Sequence, residues 1–177
     1  QPFKPCISEE AYHQSFHRLK QHIIDGDCYQ ANLCQRFMTT YSGDPWSGYQ
    51  LLRQQHPSPF SAYFNTPEGK LLCHSPERFI QVADNEVTTQ PIKGTTPRFS
   101  DPQQDQLSAE TLLASRKDHA ENSMIVDLLR NDLAKTCKPF SIDVPKLCAL
   151  ESFPNVHHLV STVTGTLESQ YHSMDLL

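Results

Sequence analysis

A lysine held between two prolines is the residue best placed to do chemistry in this sequence. Lys93 directly precedes Gly94, and Pro91 and Pro97 bracket the pair after a strand-like stretch, Val87–Gln90. Proline fixes φ and removes a backbone donor, whereas glycine lets the chain turn or approach a ligand closely. The segment lacks the glycines that precede the lysine of a phosphate-binding loop. Two interpretations stay open: a positioned reactive amine, or a surface turn with a solvated lysine.

Two carboxylates on the apolar side of a helix form a second candidate site. The sequence predicts one long helix from about Ser108 to Ala134, after a polar, turn-rich stretch at 99–106. The apolar arc of this helix consists of Met124, Ile125, Leu128, Leu129 and Leu133. Asp118 and Glu121 point into the same arc, where a carboxylate is costly unless a cation or strong donors meet it. A basic partner would satisfy them, and so would Mg²⁺, which binds through one or two carboxylates.

Histidine and cysteine spacing predicts no zinc site. His13 and His17 are four residues apart, but they flank the apolar stripe of an amphipathic helix and no glutamate follows His13. The six cysteines form no C-x-x-C pair. We therefore expect reduced, mostly buried thiols in a cytoplasmic protein.

Length and charge limit the classes of protein to consider. The 177 residues correspond to one domain, and the net charge of -5 excludes a broad basic surface for nucleic acid. No apolar run is long enough to span a membrane, and the start has no signal-peptide pattern. Because the chain begins at Gln1 and ends on a helix-like segment, residues 1–177 are expected to be a piece cut at both ends from a longer protein.

The order of the predicted elements favours an α+β fold with antiparallel sheets. A first helix begins after Ser8 and ends at Gly26, and a period-two pattern predicts a long strand from Cys28 to Tyr41. The remaining predicted elements are a helix at Pro45–Gln55, strands at Phe60–Asn65, Lys70–His74, Arg78–Val82 and Val87–Gln90, a turn at Asp84–Glu86, irregular chain after the long helix, and a strand at Val156–Leu167. Strands that follow one another directly favour antiparallel pairing.

Five ordered motifs resemble those of the chorismate-utilising enzymes. The motifs are Gly26–Leu33, His74–Phe79, Gln90–Thr95, Ala120–Asn122 continued through Asp127–Asp132, and His157–Ser161. The resemblance implies the fold of anthranilate synthase component I, with antiparallel β-sheets packed as a sandwich and flanking helices, here incomplete. With lysine at position 93, the motif resembles that of the family branch that aminates chorismate at C4 for folate and 4-aminobenzoate synthesis. The similar enzymes that form anthranilate usually have alanine there.

The resemblance also implies catalytic roles. Lys93 would add at C2 of chorismate as the C4 hydroxyl leaves, and ammonia would then resolve the covalent intermediate at C4. Glu77 would be the general acid and base, and His158 would line the substrate pocket. Gly94 and Thr95 would contact the substrate.

Further implied features are a metal, a partner and an effector site. Glu121 would be a Mg²⁺ ligand, with Asp118 as a second candidate, and a glutaminase subunit would supply ammonia. The segment Pro59, Phe60 and Ser61 resembles the border of a tryptophan site. The alternatives are an anthranilate-forming synthase and a non-catalytic or regulatory fragment of the same fold. The fragment alone is expected to be inactive.

Overall fold

The computed structural model describes residues 2–177, which form two compact units, one ending at Gly48 and the other spanning Tyr49–Leu177. In the first unit, helix α1 (Glu9–Asp25) begins and ends as its sequence predicts. The Ser8 hydroxyl accepts the Ala11 N–H at 3.1 Å, and Gly26 closes the helix with a left-handed φ of 83°. None of the helices in the described residues is long and apolar enough to cross a bilayer.

The long strand predicted for Cys28–Tyr41 is wrong. Only β2 (Phe37–Met38) is a strand in that segment, and it pairs with the two-residue β1 (Lys4–Pro5). The alternating pattern was real, but a strand also needs a partner for its backbone groups. In this unit, β1 offers a ladder only two residues long.

The second unit holds the rest of the elements, and every strand pair in the described part of the chain is antiparallel. Helix α2 (Pro45–Gln55) starts in the first unit and ends in this one. The strands are β3 (Phe60–Thr66), β4 (Gly69–Ser75), β5 (Arg78–Ala83), β6 (Glu86–Gln90), β7 (Ile92–Pro97), β8 (Asp143–Ser152) and β9 (Val156–Thr166); the helices are α3 (Pro102–Leu113), α4 (Arg116–Leu133) and a 3₁₀ turn at Ser173–Leu176. Strands β3 and β4 form one sheet, and β5 to β9 form the other. The predicted α+β class with antiparallel sheets is confirmed.

Strand β9 is the centre of the larger sheet. One of its edges pairs with β8 along most of its length. The other edge is shared: Val163–Thr166 pairs with β6, and Val156–Val160 pairs with β7. Pro91 marks the change of partner, and its carbonyl accepts the Ser161 N–H at 3.1 Å. The chain therefore changes its pairing position on β9 at Pro91, two residues before Lys93.

Two other predictions in this unit need correction. The single helix predicted from Ser108 to Ala134 is two helices, because the Ser115 hydroxyl accepts the Asp118 N–H and starts α4 afresh. Helix α3 also begins earlier, at Pro102, with Asp101 as its N-terminal cap. The chain before Val156, predicted to be irregular, contains β8. Two bulges and a positive φ of 50° at Cys148 interrupt the alternation by which β8 could have been recognised.

The core lies where α4 packs on the sheet. Its buried members are Val87, Val126, Leu133, Cys137, Val163 and Leu167. The tight Asp84–Asn85 turn, with φ of 51° and 65°, joins β5 to β6 and brings Val87 onto this core. Helix α4, strand β6 and strand β7, which contains Lys93, are therefore held on one packed layer.

A cluster of hydrogen bonds around one carboxylate, Asp105, connects α3 to the same sheet. Asp105 accepts hydrogen bonds from the Arg98 guanidinium at 2.8 and 3.0 Å and from the Phe99 N–H at 2.9 Å. Buried His157 lies 3.1 Å from the same carboxylate, and its other ring nitrogen meets Ser152 at 2.8 Å. The hydrogen bond from Arg98 is the largest cause that holds the pKa of Asp105 well below its ordinary value.

This cluster should make the fold sensitive to acid. Because the pKa of Asp105 is lower in the folded state than the unfolded value of about 3.9, its stabilisation is present above pH 4 and is lost as the pH falls further. We expect Asp105→Asn to lower the thermal unfolding midpoint at pH 7 and to flatten its decline below pH 4. Asp127→Asn is the control, since that carboxylate is 75% exposed in its pair with Arg130. Equal behaviour of the two variants would contradict the role of Asp105.

Candidate active site

Lys93 lies in a β-bulge inside strand β7. The β7–β9 register changes between the pairs Ile92–Val160 and Thr95–His158, so Lys93 and Gly94 occupy the irregular step. Gly94 has a φ of 88°, in the left-handed region that glycine adopts without strain. Bulges redirect side chains and often lie beside active sites. The sequence placed the lysine after a strand, which is confirmed, but it did not show that residues 92–97 form a strand of their own.

Gly94 is required by space as well as by its backbone angle. A Cβ at this position would lie 2.9 Å from Cβ of Asp118 and 3.0 Å from Cδ1 of Leu112. The bulge thus packs directly against the first turn of α4. Asp118, one of the two predicted metal ligands, is brought next to the lysine motif by this contact.

We expect Gly94→Ala to lower the free energy of unfolding by roughly 2–4 kcal/mol, through a left-handed alanine and an overpacked contact. Gly69→Ala is the matched control, because nothing lies within 4 Å of a Cβ there. Chemical denaturation of both variants measures the difference. A Gly94→Ala protein as stable as the control would show that α4 yields readily at this contact.

Glu77 supports the start of the lysine strand. Its Oε1 accepts the Ile92 N–H at 2.8 Å, and the Ser75 hydroxyl accepts the Glu77 N–H at 3.2 Å. The Glu77 side chain also lines a cavity of about 250 Å³ shared with Pro91 and with Ile125 of α4. A half-buried carboxylate is therefore fixed on the backbone of Ile92, the residue before Lys93.

His158 faces the bulge from strand β9. Its Nδ1 lies 2.8 Å from the Thr95 hydroxyl, and the ring packs edge-on against Phe153 at 5.4 Å between centroids. Burial lowers the pKa of the His158 imidazole, while a backbone hydrogen bond at Gly94 and the charges of Glu77 and Glu151 act in the opposite direction. His158 is thus a neutral imidazole at pH 7, one that can hydrogen-bond a ligand without adding positive charge.

The carboxylates of α4 follow the same edge of the sheet. Asp118 touches Gly94, and Ile125 lines the cavity that contains Glu77. Glu121 lies three residues after Asp118 and four before Ile125, so all three share one helix face. Both carboxylate residues are only partly exposed. The structure thus brings Glu77, His158 and Asp118 into contact with strand β7, and Glu121 lies on the same helix face as Asp118.

The carboxylates fit a Mg²⁺ ion only as part of a ligand set. No group of three or more His, Cys, Asp or Glu side chains within residues 2–177 could enclose a metal. Mg²⁺ often takes one or two protein carboxylates and completes its shell with water and substrate oxygens. Glu121 and Asp118, as hard oxygen donors on one helix face, suit that mode.

Sequence comparison assigns the chain to a family. The model of the chorismate binding enzymes matches residues 1–177. The chain belongs to this family. Aminodeoxychorismate synthase component 1 from Klebsiella aerogenes is 49% identical over 97% of the chain. Anthranilate synthase component 1 from Saccharolobus solfataricus is 38% identical over 99% of the chain.

Structure comparison agrees. Anthranilate synthase component I from Streptococcus pneumoniae TIGR4 superposes with a TM-score of 0.88 at 32% identity, over 99% of this chain. The chain spans 38% of the Klebsiella relative and 38% of the Streptococcus protein. The predicted family and the anthranilate synthase component I-like fold are confirmed over the length of this chain.

The predicted effector segment borders a cavity that also reaches Ile92, the residue before Lys93. Pro59 and Phe60 line a cavity of about 130 Å³ together with Arg78, whose guanidinium lies 4.9 Å from the centre of the Phe60 ring. The Ser61 hydroxyl instead donates to the Ser58 carbonyl at 2.9 Å. Small-molecule sites usually exceed about 300 Å³, so this cavity would have to widen to take tryptophan. A tryptophan site here stays a prediction.

Sequence reasoning placed the apolar arc of α4 incorrectly and missed its buried polar residue. Met124 and Leu128 are 42% and 43% exposed, whereas Asn122 and Val126, which are outside the predicted arc, are buried; of the arc itself, Leu133 is buried. The Asn122 amide donates to the Leu159 carbonyl at 3.1 Å and accepts from the Ser161 hydroxyl. Asn122 and Val126 are four residues apart, which is the spacing of a buried helix face. A prediction that defines this face by apolar residues alone places an asparagine on the solvent side.

Proposed function

We propose that the full-length protein is an aminodeoxychorismate synthase component 1, which replaces the C4 hydroxyl of chorismate by ammonia. The observation that carries this proposal is Lys93 in the bulge of β7, on a chain 49% identical to the Klebsiella enzyme of that name. The anthranilate synthase relatives described above are 38% and 32% identical. A lysine that is fixed in a strand, with Glu77 bound to the N–H of the preceding residue, suits covalent catalysis.

The proposed reaction has two substitution steps. Once it has lost its proton, the Lys93 amine forms a bond to C2 of chorismate, the ring double bond shifts, and the C4 hydroxyl leaves as water with a proton from Glu77. Ammonia then attacks C4, the double bond shifts back and the bond between C2 and the lysine nitrogen breaks. Glu77, now a carboxylate, takes a proton from the incoming amine. Each step is a proton-coupled displacement that needs no redox partner.

The other site residues bind and orient the substrate in this proposal. Thr95 and the Gly94 backbone both engage His158, which fixes the imidazole at the side of the bulge. A neutral His158 can hydrogen-bond a substrate hydroxyl or carboxylate. Gly94 and Thr95 would contact the substrate through the Gly94 backbone and the Thr95 hydroxyl.

Glu121, with Asp118 as the second candidate, would hold Mg²⁺. When bound, the ion would neutralise a carboxylate of chorismate, which matters because the chain itself carries a net charge of -5. We expect Glu121→Gln in the full-length protein to raise the Mg²⁺ concentration for half-maximal activity about tenfold or more and to leave the fold intact. Glu110→Gln, on the exposed side of α3, is the control. Superimposable Mg²⁺ titrations of parent and Glu121→Gln would refute the ligand role.

The proposal also includes partners and location. Chorismate is the substrate, and a glutaminase subunit would supply ammonia, as the designation component 1 of the relatives implies a second component. Tryptophan binding at Pro59 and Phe60 would be an effector function. All six cysteines are free thiols, which supports a reducing, cytoplasmic location.

The product decides between the two amination reactions of the family. The likeness to the Streptococcus structure favours anthranilate synthase as the second candidate. Full-length protein incubated with chorismate, ammonia and Mg²⁺ should yield 4-amino-4-deoxychorismate by chromatography and mass spectrometry. Anthranilate with pyruvate would establish the second candidate instead, and no conversion at all would favour a regulatory protein of the same fold.

A further inference from the structure

A fully satisfied polar network lies under the proposed site, between α4, β8 and β9. Asn122 and Ser161 are both 0% exposed. The Asn122 amide donates to the Leu159 carbonyl at 3.1 Å, and its oxygen accepts the Ser161 hydroxyl proton. The Ser161 oxygen in turn accepts the Cys148 N–H at 2.9 Å. Two side chains therefore join one helix to two strands.

Stability alone does not require this network. Burying polar groups gains little when they are paired, and apolar residues of the same shape are often as stabilising. What a paired network does provide is one fixed geometry, because each displaced member leaves a buried group unsatisfied at a cost of about 1–3 kcal/mol. A network in this place fixes the helix against the strand in both distance and register.

Two members of the network, Asn122 and Leu159, are next to residues of the proposed site. Asn122 follows Glu121 on α4, and Leu159 follows His158 on β9. Cys148 lies in the second bulge of β8, with a positive φ of 50°, three residues before Glu151, the pairing partner of His158. The network thus holds the proposed metal carboxylate at one end and the proposed substrate histidine at the other.

We propose that Asn122 and Ser161 are positioning residues that set Glu121 relative to His158, so that a cation at Glu121 and the substrate beside His158 come into register. This inference rests on the proposed function, in which Glu121 holds Mg²⁺. Neither residue touches the reacting atoms. Their effect is on the geometry of α4 against β9.

Ser161→Ala in the full-length protein tests the proposal, with Mg²⁺ binding measured directly by calorimetry in the absence of turnover. The variant leaves Asn122 Oδ1 and the Cys148 N–H unpaired, and we expect Mg²⁺ affinity to fall on the order of tenfold, as for changes around metal ligands. Ser161→Cys, with a weaker donor of similar size, should lie between parent and alanine variant and should fold if the alanine variant does not. Turnover lost at low Mg²⁺ should be partly restored by excess Mg²⁺.

The control is Val163→Ala, which creates a cavity on the same strand. Val163 is 0% exposed and lies outside the network. The variant should lower the thermal midpoint without changing Mg²⁺ affinity. If Ser161→Ala, or Ser161→Cys in its place, weakens Mg²⁺ binding no more than Val163→Ala does, the network is only structural and the inference is wrong.

A double-mutant cycle with Glu121→Gln separates this result from a failure of the proposed function. If Ser161 acts through Glu121, its effect on Mg²⁺ affinity should disappear in the Glu121→Gln background. Additive effects would overturn the positioning role while leaving the metal role of Glu121 intact. If Glu121→Gln alone leaves Mg²⁺ binding unchanged, the metal role fails, and the positioning inference fails with it.

Discussion

Lys93→Ala in the full-length protein should lose at least about 10³-fold in turnover with ammonia, because removal of a covalent nucleophile leaves only binding and electrostatic contributions. Chorismate should still bind, since Gly94, Thr95 and His158 keep their contacts. Steady-state kinetics with ammonia as the nitrogen source measures the loss without the glutaminase step. Lys70→Ala, an exposed lysine on β4, is the control for a general effect of charge.

A second substitution distinguishes a nucleophile from a simple cation. Arginine keeps the positive charge at position 93 but stays protonated at neutral pH, so it cannot attack carbon. Lys93→Arg should therefore be as inactive as Lys93→Ala. Substantial activity in the arginine variant would mean that position 93 supplies charge and not a covalent bond.

The covalent intermediate offers a direct observation. Parent protein mixed with chorismate and no ammonia should accumulate an adduct equal in mass to chorismate minus one water, and peptide mapping should place it on Lys93. Ammonia should discharge it as 4-amino-4-deoxychorismate. If no adduct forms on Lys93 while turnover with ammonia is normal, amination is direct and the lysine has another role.

Local sequence signals predicted the elements that depend on local chemistry. Ser8 and Gly26 marked both ends of α1, and the Asp84–Asn85 turn gave the β5–β6 hairpin, since caps and two-residue turns depend on a few adjacent side chains. The strand from Val156 was recognised from its β-branched residues. The last of these elements carries His158, and Glu77 directly precedes β5.

The parts that sequence reasoning missed depend on contacts between distant segments. Strand β8 is recognisable only beside β9, because its two bulges break the period of two. The pattern at Cys28–Tyr41 had the right period but no extended partner. Asn122 can be buried because its amide oxygen accepts a hydrogen bond from the Ser161 hydroxyl, 39 residues further on. A single sequence contains no sign of that pairing.

The candidate site also has a part that the sequence predicts and a part that depends on contacts between distant segments. The residue types at 77, 93 and 158 follow from their motifs, but their assembly required the change of partner along β9, from β6 to β7. The packing of Gly94 on Asp118 also appears only in three dimensions, and it explains why an acidic residue at the start of α4 comes next to the lysine strand. Motifs thus gave the chemistry, and the sheet topology gave the proximity.

Glu77→Gln should reduce kcat by about 10²–10⁴-fold, the contribution of a general acid and base. The amide oxygen of glutamine can still accept the Ile92 N–H, which Glu77 binds at 2.8 Å, so the lysine strand should keep its position. Glu77→Ala removes that acceptor as well and should lower the free energy of unfolding by roughly 1–3 kcal/mol. Glu86→Gln, at an exposed residue on the hairpin that follows Glu77, is the control.

Kinetics and denaturation of the three variants separate the two roles of Glu77. A glutamine variant with normal kcat, together with an unstable alanine variant, would mean that Glu77 only anchors the backbone. A glutamine variant that is stable, binds chorismate and hardly turns over would instead establish that the carboxyl proton is needed, because the two side chains differ at this site only in their ability to give and take it.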